Sequence, residues 1–84
     1  MKPIKVRRFI LIFEKFSEKF VEEVDFPADI ELLTLQKIFG IPPVNPMFDV
    51  YEINAENVEE FSKIFYYEFD FSNFEYAIAS EALS

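Results

Sequence analysis

Val6-Arg7-Arg8-Phe9-Ile10-Leu11-Ile12-Phe13-Glu14 is the stretch that decides the fold. Its centre, Phe9 to Phe13, is an unbroken apolar run rich in aromatic and β-branched side chains, with no Gly or Pro. Such a run reads as a strand buried on both faces, and therefore as a central strand of a sheet. Lys2, Lys5, Arg7 and Arg8 precede it and imitate the charged start of a signal peptide. The apolar run is shorter than the ~7–15 residues a signal peptide needs, and no small-residue cleavage site follows. Nothing in the chain approaches the roughly 20 apolar residues of a membrane-spanning helix.

Outward from this strand, Phe16-Ser17-Glu18 is the expected turn. Lys19 to Phe26 follows as a second strand, with Phe20, Glu22, Val24 and Phe26 on one face and Val21, Glu23 and Asp25 on the other. Pro27-Ala28-Asp29 opens a helix with Asp29 as its N-cap, and Ile30, Leu32, Leu33, Leu35, Ile38 and Phe39 supply the apolar stripe. Gly40 ends it in the left-handed conformation that only glycine adopts cheaply. Pro42, Pro43 and Pro46 make residues 40–46 a rigid loop, and Met47 to Ile53 reads as a third strand. Asn54 is expected to cap a second helix reaching Phe65, with Glu59 paired to Lys63 one turn on. Residues 67–79 read as the last strand, beginning with the alternation Phe69-Asp70-Phe71-Ser72 and bulged near Asn73 or Phe74. The order β-β-α-β-α-β in 84 residues implies a single domain over 1–84 of the α+β class, one sheet of four strands with two short helices on one face.

Composition narrows the function. Sixteen Asp and Glu oppose eight Lys and Arg, for a net charge of −8, beside twelve Phe and four Tyr. The charge is polarised: Lys2, Lys5, Arg7, Arg8, Lys15 and Lys19 all lie before residue 20, and only Lys37 and Lys63 follow. A field of this sign attracts basic proteins and repels nucleic acid and anionic membranes, so neither is an expected partner. The chain has no His, Cys or Trp and one Gly. Without His there is no base for a Ser triad, and without Gly-rich turns no phosphate loop forms. Glu22/Glu23 point to opposite faces of a strand and Glu59/Glu60 fit a solvated first helical turn, so neither pair suggests acid–base chemistry. No cofactor or metal is expected, and the absence of Cys fits a reducing cytoplasm.

What remains is a constellation of rings and acids on strands. Phe13 neighbours Glu14, Phe20 neighbours Glu22, Asp49 lies between Phe48 and Tyr51, and Glu75 lies between Phe74 and Tyr76. A core this small hides only part of sixteen rings, so a cluster of them is expected on the sheet face the helices leave open. Rings at the centre of an interface supply most of its binding energy, and carboxylates around them raise association rates with basic targets. The expected binding residues are Phe13, Glu14, Phe20, Glu22, Met47, Asp49, Tyr51 and Glu75.

Phe13-Glu14-Lys15 with Phe20, Phe39-Gly40-Ile41-Pro42, Phe48-Asp49-Val50, and Phe69-Asp70-Phe71-Ser72-Asn73 with Glu75-Tyr76 recur in an order that resembles the cloacin immunity family. Those proteins are small acidic inhibitors of ribonuclease-type colicins, and related immunity proteins serve contact-dependent inhibition. The resemblance implies an antiparallel sheet and a one-to-one complex with a cognate nuclease toxin domain. It implies aromatic anchors at Phe13 and Phe20, an interface acid at Asp49, and a position that distinguishes toxins at Met47. Ala77 stands where the family places a further aromatic anchor. The competing expectation is an adaptor or homo-oligomeric subunit that uses the same exposed rings.

Overall fold

A computed structural model describes residues 6–27 and 29–82. It contains β1 (Val6–Glu14), β2 (Phe20–Asp25), α1 (Leu32–Phe39), β3 (Tyr51–Ile53), α2 (Val58–Ser62) and β4 (Phe74–Ala82), an α+β fold in the expected element order. The strands form one antiparallel sheet in the order β2-β1-β4-β3. The apolar run therefore lies centrally: β1 pairs with β4 from Val6↔Ala82 to Glu14↔Phe74, and with β2 on its other side.

Strand alternation sends Ile10 and Ile12 of β1, Tyr76 and Ile78 of β4, and Ile53 of β3 to one face, where they meet Leu35 of α1 and Phe61 of α2 in one core. Both helices thus cover the same face. Ile10, Leu35, Ile53, Phe61 and Ile78 are fully buried, each stabilising the fold by about 1.5–3 kcal/mol relative to exposure. Phe61 is the hub: its ring lies 5.5–6.3 Å from those of Phe26, Phe39, Phe65 and Phe69. Four rings around one Phe are the way this small domain hides much of its aromatic content.

Several boundaries differ from expectation. Ala28 lies outside the described residues, and α1 is entered at Glu31, with Asp29 in the preceding turn and Ile30 packed on the core. Gly40 does end α1, at φ 65°. The third strand keeps only three of the seven residues expected, because Met47 sits in the left-handed region at φ 57°. There its N–H donates to Asn45 Oδ1 at 2.8 Å, a local bond that competes with any ladder.

The second helix is shortened by similar chemistry. Asn54 Oδ1 accepts from the N–H groups of Glu56 and Asn57, while Asn57 Oδ1 accepts from the Asn54 N–H. This clasp makes residues 55–57 a turn, so Asn57 rather than Asn54 precedes the helix. Lys63 pairs with Glu60 at 2.8 Å rather than with Glu59. Residues 67–73 do not extend β4: the Asp70 carboxylate accepts from the Ser72 N–H and the Asn73 amide, closing a turn where a bulge was expected. Phe69 and Phe71 stand parallel and present their edges or faces to Tyr76 at 4.9 and 5.5 Å.

Gln36 is the one buried amide or charged side chain among the described residues. From the middle of α1 its Nε2 donates to the carbonyls of Asn45 at 2.7 Å and Pro43 at 3.2 Å. The loop that leads into β3 is fastened to the helix by these bonds.

Candidate functional site

Among the described residues no helix covers the second face of the sheet. Its central rows run Arg7, Phe9, Leu11, Phe13 along β1 and Glu81, Ala79, Ala77, Glu75 along β4, each residue opposite its counterpart. Asp25 and Glu23 of β2 flank Phe9 and Leu11, and Glu52 of β3 flanks Ala77. The small side chains of Ala77 and Ala79 make a low floor in the middle, with charge and rings at both ends.

At one end lies an ionic cluster. The Arg7 guanidinium contacts Glu23 and Asp25 at 2.7 Å each and Glu81 at 3.3 Å, and stacks over the Phe9 ring at 4.5 Å from its centroid. Hydrogen bonds to Glu23 and Asp25 raise the Arg7 pKa above its ordinary value, because they favour the charged guanidinium. The cluster joins β2, β1 and β4 at the surface.

At the other end lies an aromatic pair. Phe13 and Phe20 meet edge to face at 5.8 Å, and Phe20 remains 57% exposed. Their meeting depends on an irregularity: Ile12 pairs with Glu22 but Phe13 with Phe20, so Val21 is an extra residue in β2. Without it Phe20 would share the inner face with Glu22 and Val24. A shallow concavity of about 270 Å³ beside the pair is lined by Phe13, Val50, Glu52, Glu75, Tyr76 and Ala77. Among the described residues neither Glu52 nor Glu75 has a cationic partner.

The expected site residues divide accordingly. Phe13, Phe20 and Glu75 come together on the open face. Asp49 is exposed in the segment that leads into β3, beside the half-exposed Phe48 and Val50. Glu14 and Glu22 are exposed but belong to the opposite face, by the parity of Ile12↔Tyr76 and Ile12↔Glu22. Glu22 lies 3.5 Å from the Tyr67 hydroxyl, whose pKa is raised by burial and by the Glu22 charge. Met47 and Tyr51 are corrections to the expected site. Met47 is 2% exposed within the core, and Tyr51 packs on Phe39 at 6.0 Å from the inner face. Neither lies on the open face: the left-handed turn at Met47 carries its side chain inward, and Tyr51 shares the inward strand parity of Ile53.

Glu52 and Arg7 went unrecognised as site residues. Glu52 shares its strand parity with the exposed Val50, a signal present in the alternation itself. The position of Arg7 needed the register of three strands, which no local pattern supplies. Among the described residues no group of three or more acidic side chains is arranged to hold a metal ion, and no helix is long and apolar enough to cross a membrane.

A comparison with curated proteins finds no match. Residues 7–79, which span β1 through most of β4, match a family described as a domain of unknown function, and the chain belongs to that family, DUF7683.

Proposed function

We propose that this protein is an immunity protein, a binder rather than an enzyme, that neutralises a cognate basic nuclease toxin in the cytoplasm. The toxin, of ribonuclease type in a colicin or contact-dependent inhibition system, would be held one-to-one on the open face of the sheet. The observation that carries this reading is the Phe13–Phe20 pair, half-buried at Phe13 and exposed at Phe20, set beside Glu52 and Glu75 on a helix-free face. The net charge of −8 and the ordered resemblance to the cloacin immunity family support it.

Physically, a nuclease binds its substrate through Lys and Arg that neutralise phosphates. Carboxylates on the open face offer those cations an alternative partner and repel the substrate, while the aromatic pair fills an apolar depression at the centre of the contact. Rim acids act chiefly on the association rate, and the buried rings on dissociation. Each anchor ring is worth about 2–4 kcal/mol on truncation.

The test is to co-express the protein with the open reading frame directly upstream and ask for growth protection and a co-purifying one-to-one complex. Association should slow steeply as salt rises. A harmless neighbour with no complex overturns the reading, and salt-insensitive self-association would assign the exposed rings to a homo-oligomer.

A further inference from the structure

Each end of the open face sets a ring among carboxylates. At the first end a ring, Phe9, and carboxylates from the neighbouring strands β2 and β4 surround a guanidinium belonging to the chain itself. At the second end a ring, Phe13, faces Glu75 across the β1–β4 ladder, with Glu52 one strand further on. There the concavity of about 270 Å³ is bounded by the ring, the two carboxylates and Val50, and no cation of the described residues occupies it. We propose that this second end is an arginine-binding slot, filled by an arginine side chain of a protein partner in the arrangement that Arg7 adopts at the first.

Charge complementarity identifies the occupant. Glu52 and Glu75 lie diagonally across β3 and β4, near enough to repel one another; Lys15 lines an adjoining cavity with both, but its ammonium donates to the Phe71 carbonyl at 3.0 Å and makes no ion pair with either. A guanidinium suits the slot better than an ammonium, since its planar face stacks on a ring while its edge donates to more than one carboxylate. Arg7 does both within this same sheet. Arg7 offsets only one of the three carboxylates around it, so both ends of the face stay acidic; they differ in that the Phe9 ring is already covered by Arg7, whereas Phe13 borders an open concavity.

This inference rests on the open face being a protein-docking surface, and its test requires no toxin. Titration of the isotope-labelled protein with a blocked tetra-arginine peptide, followed by NMR, should shift signals of Phe13, Val50, Glu52, Glu75 and Ala77 before those of Phe9 or α2. The matched tetra-lysine peptide should bind about 2–5-fold more weakly, and Glu52→Gln or Glu75→Gln should each weaken the arginine peptide about 2–5-fold, the range of single exposed ion pairs. Glu59→Gln, the same change of charge on α2, should do neither. Arg7→Ala should open a second site of the same kind around Phe9. Shifts spread evenly over the acidic surface, equal binding of the two peptides, or indifference to Glu52→Gln and Glu75→Gln overturns the proposal. The Gln variants lie on exposed positions, so they keep the test decisive if Arg7→Ala fails to fold. Arginine uptake by the slot with no captured nuclease supports this inference and overturns only the immunity reading.

Discussion

Replacing Gln36 by Met removes one hydrogen-bonding group from the centre of α1 while keeping the length of the side chain. Gln and Met have nearly equal helix propensity, so the helix itself is not penalised. What is lost are the donations from Nε2 to Asn45 O at 2.7 Å and Pro43 O at 3.2 Å. The Pro42 carbonyl, 3.5 Å from Nε2, also accepts from the Asn45 N–H at 2.9 Å and stays satisfied. Pro43 is exposed, so its carbonyl can turn to water at small cost, whereas the Asn45 carbonyl beside the 4%-exposed Gln36 is harder to rehydrate. One carbonyl left bare costs about 1–3 kcal/mol, and the second bond adds about 0.5–1 kcal/mol. A loss of roughly 2–3 kcal/mol lowers Tm by about 10–20 °C in a domain of this size. Thermal unfolding followed by circular dichroism, with urea unfolding as a check on two-state behaviour, measures it. A Gln36→Met protein that melts within about 2 °C of the parent would refute the reasoning. It would mean that the loop holds its place through the ring constraints of Pro42, Pro43 and Pro46 alone.

On the immunity reading proposed above, Phe20→Ala should weaken the toxin complex by about 2–4 kcal/mol while lowering the urea midpoint only slightly, since this ring is mostly exposed in the free protein; calorimetry reads the first and denaturation the second. Met47→Ala should instead lower stability by about 2–5 kcal/mol and leave partner preference unchanged, which a melt and a competition between two toxins would separate. Tyr67 has a raised pKa in the fold, so its protonated form is favoured there. The corresponding stability is fully present below the ordinary tyrosine pKa of 10.0 and is lost as pH climbs through the raised value. Tyr67→Phe should therefore flatten the alkaline arm of Tm against pH, recorded between about pH 8 and 11.

The parts of the fold that were legible in sequence are those where one strong signal acts alone. β1 is centred on the unbroken apolar run Phe9 to Phe13, and Gly40 is the one residue in its neighbourhood that takes φ 65° without strain. Errors arose where side chains offered the backbone an alternative. Phe69-Asp70-Phe71-Ser72 has strand alternation, but its rings pack on Tyr76 and its Asp closes a turn, so the pattern is spent on packing rather than on a ladder. Met47 alternates correctly with Tyr51 and Ile53 yet reaches the core through a left-handed turn. The site was half legible for a related reason. Phe13 and Glu75 follow from parity, whereas Phe20 joins them only through the irregularity at Val21, which no residue type announces.

The pairing of β1 with β4 also sets a clock. Arg7 and Glu81 meet across this ladder although 74 positions separate them, so the centre of the sheet cannot close until nearly all of the domain has been synthesised. At 5–20 residues per second, that interval is about 4–15 s. Throughout it Ile10 and Ile12 have β2 as their only possible sheet neighbour, and a two-stranded hairpin is at best marginal in water. The nascent chain therefore waits with its most apolar strand lacking its β4 partner. Protection by this protein, on the reading proposed above, would lag its own translation by the time needed to deliver β4, and a cell would be safest with a standing pool of finished molecules.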